Sequence, residues 1–274
     1  KLHSDHKPLG EDVNLRVIAE RPPGLSGAAL QNLMNEAAIL AARENRKKVT
    51  QYDLIRSIEK VMLGPERKSH LLSKHEKEIT AYHEAGHALV ASVLPYADPV
   101  HKVSIVSRGH AGGYTLKLPL EERQLKTRRE FTDELAAMLG GYAAEMLLFD
   151  DVSTGPSNDL AVATALAREM VVRYGMSEAI GPLALEEPLG RASQMRFPGE
   201  RDYSEEVAAR VDAEVSRRMG EARTRAGEIL TTHRAALDSI ARQLTEQESL
   251  ERDEFEKLLV ANGIVPKKKE ETLV

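Results

Sequence analysis

Aromatic side chains are scarce in this sequence, with four Phe, seven Tyr and no Trp among 274 residues. A core of useful size must therefore be packed from Leu, Val, Ile and Ala, as alanine-rich helical proteins do, and the chain is expected to be mostly helix. The length suits one large or two modest domains. Cysteine is absent. That excludes disulfide scaffolds, CxxC zinc ribbons, thiol proteases and dithiol redox chemistry, and it leaves only His and carboxylates to hold a metal. With 38 basic and 43 acidic residues mixed along the chain, the net charge is −5, which gives no electrostatic footprint for nucleic acid. No stretch reaches the roughly 20 apolar residues that span a bilayer, and the longest candidate, Ala85 to Ala97, contains His87 and Pro95. The chain reads as soluble. It opens at Lys1-Leu2-His3-Ser4 without Met or a signal pattern, as a piece of something longer would.

Val13 to Ala19 reads as a short helix stopped by Arg21-Pro22-Pro23-Gly24. Ser26 then caps a helix whose apolar stripe is Leu30, Leu33, Met34, Ala37, Ala38 and Ala41. Thr50 with Asp53 forms a capping-box pattern ahead of Leu54, Ile55, Ile58, Val61 and Met62. Gly64-Pro65 ends this bundle, and a charged linker places a domain boundary between Gly64 and His70. The second segment starts with a helix from Lys74 to Leu94, stopped by Pro95. Val103 to Val106 and Tyr114 to Leu116, separated by Gly109, Gly112 and Gly113, read as two short strands. Val103 to Val106 suits the sheet interior better than an open edge for an extended substrate. Phe131 to Leu148 reads as one helix, and another follows Asn158 as far as Tyr174. Beyond a Gly- and Pro-rich loop, Ser204 to Ala261 reads as two long helices and a shorter one from Arg252. A disordered tail is expected over residues 266–274, with Lys267-Lys268-Lys269 as a solvated basic run.

The chemistry lies in His83-Glu84-Ala85-Gly86-His87, an H-E-x-x-H pattern inside an expected helix. Spacing of i and i+4 projects both imidazoles from one face toward one point, which suits a single zinc ion. Glu84, next to the first histidine, is placed to hold water and act as general base. Two histidines one turn apart also arise by chance, but Gly86 is hard to explain that way. It costs about 1 kcal/mol against Ala in a helix interior, which hints at close packing against the backbone there. A catalytic zinc needs a third protein ligand. Asp159, in the first turn of a helix, and Glu145, within Gly140-Gly141-Tyr142-Ala143-Ala144-Glu145, are the candidates, and spacing does not separate them. His101 and His110, in flanking segments, receive no role.

The stretch Tyr82 to Leu89, Val103 to Ile105 with Arg108-Gly109, Gly113-Tyr114, Gly140-Gly141, Thr154-Gly155, Asn158-Asp159-Leu160 and Tyr174-Gly175-Met176-Ser177 together resemble the peptidase domain of the FtsH-type AAA metalloproteases, the M41 peptidases. The resemblance makes His83, His87 and Asp159 the zinc ligands and Glu84 the base. Lys7-Pro8-Leu9, Gly24 to Ala28, Asn35 to Ala38 and Gly64 to Ser69 resemble the helical lid of the family's AAA module. There Gly27 and Ala28 would border adenine nucleotide in a complete protein. The family usually carries an acidic residue at Ala29, Arg at Tyr142 and Ala at Pro156, and none of these departures touches a proposed zinc ligand.

The resemblance implies an α+β, predominantly helical fold: an AAA lid over residues 1–68, then a mainly helical zinc peptidase domain with a small sheet over 69–265. It further implies unfolded polypeptide substrates and a homo-oligomer, a hexamer. It also implies attachment, through segments outside this sequence, to the cytoplasmic face of a bacterial inner membrane or its organellar equivalent. No G-x-x-x-x-G-K-[ST] and no Walker B strand occur, so ATP use is expected only in a longer protein. An inactive helical scaffold with a vestigial zinc site is the rival reading, and the intact Glu84 argues against it.

Overall fold

The computed structural model describes residues 2–5, 7–20, 25–65, 73–107, 112–118, 125–185 and 203–267. The first part holds α1 (Leu15–Glu20), α2 (Gly27–Arg43) and α3 (Gln51–Leu63). Helix α1 starts two residues later than its apolar pattern suggests because Asn14 Oδ1 accepts from the backbone N–H groups of Arg16 and Val17. Ser26 caps α2, and the Thr50/Asp53 capping box opens α3 as expected. The stripe residues Leu33, Met34, Ala37 and Ala41 close on Leu54 and Ile58 to form a small core of their own. Gly64 ends α3 in a conformation of φ 88° that suits glycine. The charged linker beyond it lies outside the described residues from 66 to 72.

The larger core surrounds α4 (Lys74–Val93), which starts at a Ser73/Glu76 capping box and stops short of Pro95. Many of its buried residues are small: Ala81, Ala85, Gly86, Ala88 and Ala91 let neighbouring helices approach, while Leu89 and, just past the helix, Leu94 each contribute about 2 kcal/mol of burial. Around it pack α5 (Arg128–Met138), α6 (Gly140–Phe149), α8 (Glu205–Thr232) and α9 (Arg234–Gln247). Helix α7 (Ser157–Val172) packs against α5 and α8, and α10 (Arg252–Ala261) packs against α9. One helix was expected over Phe131 to Leu148. The chain instead breaks at Leu139, ahead of Gly140-Gly141, and starts α6 afresh.

Three strands form an antiparallel sheet in the order β2-β1-β3, with β1 (Val100–Ser104), β2 (Tyr114–Lys117) and β3 (Ser249–Glu251). The hairpin pattern gave β1 and β2, although β1 starts three residues earlier, and the Gly109 turn lies outside the described residues. β3 was not anticipated, because three residues between two helices carry no periodicity. Since β3 covers one side of β1, Val103 is interior, and β2 and β3 are the edge strands among the described residues, with β2 beside α4. Alternation divides the sheet's faces. Val103 and Thr115 turn toward α4, while Lys102 and Tyr114 meet Glu59 of α3, with Lys102 Nζ donating at 2.9 and 3.2 Å and Tyr114 Oη at 3.3 Å.

At the C-terminal end, Lys267 is not a solvated tail residue. Its Nζ donates to the carbonyls of Ala91, at 2.7 Å, and Ala97. Residues 268–274 lie outside the described set. Among the described residues no helix is long and apolar enough to cross a membrane.

Candidate metal centre

Helix α4 carries His83, Glu84 and His87 on its buried side, each less than a tenth exposed. The i,i+4 spacing brings their rings to 4.7 Å centroid to centroid, and the Nε2 atoms to 3.0 Å. Asp159, in the first turn of α7, comes up to them so that its Oδ2 lies 3.2 Å from His83 Nε2 and 3.2 Å from His87 Nε2. Residues 72 and 76 positions apart in sequence thus meet at a nearly equilateral triangle of ligand atoms.

The protons on the two rings follow from their other nitrogens. His87 Nδ1 lies 2.8 Å from Ala137 O, and a carbonyl oxygen only accepts, so Nδ1 carries the hydrogen. His83 Nδ1 lies 2.7 Å from Glu145 Oε1, again an acceptor when ionised. When both rings are neutral, their bare Nε2 lone pairs therefore face each other and a carboxylate oxygen. Three acceptors at 3.0 to 3.2 Å repel unless a proton or a metal cation lies between them. A tetrahedral zinc with bonds of about 2.0–2.1 Å sets its ligand atoms about 3.3 Å apart, so the donor set fits that ion in type and in span.

The electrostatics agree. Burial opposes a charge on His83, yet the hydrogen bonds to Asp159 and Glu145 outweigh it and push the imidazole up to about 10: the pocket calls for positive charge. Burial likewise opposes the carboxylate of Asp159, and the two histidines overcome it, holding Asp159 well below the usual range. Glu145 is held low by His83 and by the Ser153 N–H, against burial. Glu84 moves the other way. Wholly buried, its carboxyl is pushed up, although Thr115 Oγ1 donates to Oε2 at 2.8 Å.

Three glycines make room for this arrangement. A Cβ on Gly86 would lie 2.7 Å from Ala144 Cβ, and one on Gly140 would lie 2.7 Å from Gly86 O, so α4 and α6 cross at backbone contact. This is the close packing that Gly86 hinted at. A Cβ on Gly141 would lie 2.5 Å from His83 Nε2 and 2.6 Å from His87 Nε2, inside the space a metal needs.

Of the sequence-derived candidates, His83, His87 and Asp159 converge, and Glu84 lies beside them against Gly113 and Thr115. Glu145 stands one layer back: Oε1 accepts from His83 Nδ1, and Oε2 accepts from the Ser153 N–H at 2.7 Å. Sequence reasoning missed that supporting position and the contact of Thr115 with Glu84. A ligating histidine usually gives its second nitrogen to a carboxylate, and that signal could have found Glu145. Gly27 and Ala28 lie far from this centre in sequence, at the start of α2. There Ala28 lines a cleft with His3, Lys7, Gln31 and Asn35. His101 lies on β1, and His110 lies outside the described residues.

Comparisons with known proteins point the same way. The peptidase family M41 model matches residues 70–258, and that of the AAA+ lid domain matches residues 12–55. The chain is 51% identical over 263 residues to "ATP-dependent zinc metalloprotease FtsH 1" of Sphaerobacter thermophilus, covering 94% of this chain and 40% of that protein. It is 49% identical over 265 residues to the Thermotoga maritima "ATP-dependent zinc metalloprotease FtsH", covering 94% and 43%. The Bacillus subtilis protein of the same name is 44% identical over 270 residues, covering 98% and 42%. The chain thus spans about 40% of the length of the curated relatives it matches. A family match over most of the chain, with the H-E-x-x-H helix and Asp159 brought to one point, places it: the chain belongs to peptidase family M41.

Proposed function

We propose that this chain is the zinc-dependent endopeptidase part of an ATP-dependent, membrane-anchored protease that degrades unfolded or damaged proteins. The observation that carries the reading is the convergence of His83 Nε2, His87 Nε2 and Asp159 Oδ2 on one point, a donor set that fits zinc in type and in span. In this reading those three residues hold the zinc and Glu84 is the general base. Zinc, when bound, polarises the scissile carbonyl and acidifies water. Glu84 takes the proton of the attacking water and returns it to the amine nitrogen as the C–N bond breaks. Thr115 fixes Glu84 Oε2, and the absence of a side chain on Gly113 leaves room for the Glu84 carboxylate. Glu145 and Ala137 O lock the two imidazoles with their lone pairs inward. The outer edge of β2, beside Glu84 and unpaired among the described residues, suits an extended polypeptide adding as a further strand.

The wider setting follows the relatives, whose names state ATP dependence. A longer protein would supply the ATPase, the membrane anchor and a hexameric ring, acting at the cytoplasmic face of a bacterial inner membrane or its organellar equivalent. Residues 1–68 would act as the lid of that ATPase, with Gly27 and Ala28 beside the nucleotide, and residues 69–265 as the peptidase unit. The rival reading, a scaffold with a vestigial site, is disfavoured because Glu84 and both ring-locking bonds are intact. Metal analysis beside cleavage of an unfolded polypeptide, with and without chelator, tests the proposal. About one zinc per chain and chelator-sensitive cleavage are expected, and a metal-free chain without such cleavage would leave the scaffold.

A further inference from the structure

Charged groups near the sheet are nearly all matched. Lys102 pairs with Glu59 at 2.9 Å and Glu251 at 2.7 Å, and Lys267 is held by the carbonyls of Ala91 and Ala97. Lys117, the last residue of β2, is different. It is half-buried, and among the described residues its ammonium makes no hydrogen bond and no ion pair. Glu134 and Asp98 act on it only through space, and Glu134 is taken by Lys126 at 2.9 Å. Burial pulls its pKa below the ordinary lysine value, against the pull of those carboxylates, because the charged form has lost water.

Its place is informative. Lys117 and Thr115 are two residues apart on one strand and so share a face, and Thr115 is the residue whose hydroxyl touches Glu84. The charge of Lys117 is felt by both Glu84 and Asp159. The irregularity in β1 between Val100 and Lys102 falls opposite it, where a bulge twists the strand and re-aims a side chain. Among the described residues no strand pairs with the outer edge of β2, so a strand laid along it sets alternate side chains beside Thr115 and Lys117, about 5 Å between facing Cβ atoms. Lys267 is near enough for the two cations to repel, which raises the local preference for an anion.

Resting on the protease reading above, we propose that Lys117 is a specificity-determining residue that receives an acidic side chain, Asp or Glu, from the substrate strand beside the scissile bond. The incoming carboxylate supplies a partner that no described residue gives, and it does so within the strand that positions Glu84.

The test maps the cut sites made in an unfolded protein by the zinc-loaded chain, and compares peptides that differ only by Glu or Gln at the enriched position. Wild type is expected to favour Asp or Glu at one fixed position from the cut, with kcat/KM roughly 5- to 10-fold higher for the Glu peptide. Lys117→Met should bring the two peptides within about twofold, and Lys117→Glu should turn the preference to Lys or Arg. Tm should stay level or rise in Lys117→Met, because an unmatched buried charge has been removed, whereas a structural lysine would lower it. Calorimetry of the metal-free chain with the same peptides gives a readout independent of turnover. Wild type and Lys117→Met cutting the same sites in the same ratio overturns the proposal while leaving the protease reading intact. Absence of any chelator-sensitive cleavage by wild type overturns both.

Discussion

Two polar clusters, one in each part of the chain, are built from similar groups to opposite effect. In the lid, Arg46 donates to both oxygens of Asp53, at 2.6 Å through Nη2 and also through Nη1, and to Glu44 at 2.7 Å. Asp53 also accepts the Thr50 N–H at 2.8 Å, so every acceptor faces a donor. Around α4, His83 Nε2, His87 Nε2 and Asp159 Oδ2 face one another, while the rings give their Nδ1 hydrogens away behind them, to Glu145 and Ala137 O. A satisfied cluster needs nothing further and is architecture. One in which ring nitrogens and a carboxylate converge, kept at 3.0 to 3.2 Å by elements 72 residues apart or more, is a donor set suited to a cation.

The comparison is sharpened most by Glu84, which lies beside the converging cluster without belonging to it. Glu84→Gln is expected to lower cleavage of an unfolded polypeptide by about 10²- to 10⁴-fold while zinc content stays unchanged. Loss of zinc in that variant would make Glu84 part of the triangle. Gly141→Ala comes next, because its Cβ would press on both Nε2 atoms. Zinc affinity should fall by at least about tenfold, read by competition with a chromophoric chelator. Glu145→Gln should weaken zinc by about 10- to 100-fold without removing the site, since it releases the ring of His83 rather than deleting a ligand. An unchanged affinity would reduce Glu145 to a contact of the Ser153 loop.

In the satisfied cluster the effects are on stability alone. Asp53→Asn should cost about 1–2 kcal/mol in chemical denaturation through the weakened cap and lost ionic hydrogen bonds, and should leave zinc binding as it was. Burial works against the Asp53 charge, but Arg46 and Thr50 hold its pKa at about 2 against an ordinary 3.8. A depressed folded-state pKa contributes stability that is fully present above 3.8 and is lost as pH falls toward 2. Lid unfolding followed between pH 4 and 2 should therefore steepen in wild type and flatten in Asp53→Asn. The same slope in both would assign the acid response to other carboxylates.

What could be read from the sequence follows the range of the forces involved. Helices α2, α3 and α4 announced themselves because their caps and apolar stripes lie within a few residues: Ser26, the Thr50/Asp53 box, and the stop before Pro95. The break at Leu139 was hidden because Leu135 to Leu148 carries Glu145 as its one charged residue and otherwise continues the apolar pattern, and the packing of Gly140 on Gly86 is a tertiary contact. β3 owes its existence to Lys102, Val103 and Ser104, its partners some 147 residues earlier, and three residues cannot advertise a strand. At the site, His83 and His87 share one helix face and could be seen at once. The choice between Asp159 and Glu145 turned on which of α6 and α7 brings a carboxylate to Nε2 and which to Nδ1. That is a tertiary fact. So is the meeting of Glu59 with Lys102 and Tyr114 across the two parts of the chain.

The central claim is that converging ring nitrogens and a carboxylate, not histidine content or acidity, mark the metal centre. Metal analysis of three purified chains, dialysed against the same trace zinc, tests it most directly: wild type, Asp159→Ala and Asp53→Ala. The account predicts about one zinc per chain in wild type, about one in Asp53→Ala despite its lower stability, and a large loss in Asp159→Ala at unchanged helical content. Full zinc occupancy in Asp159→Ala, or equal loss in both variants, would contradict it.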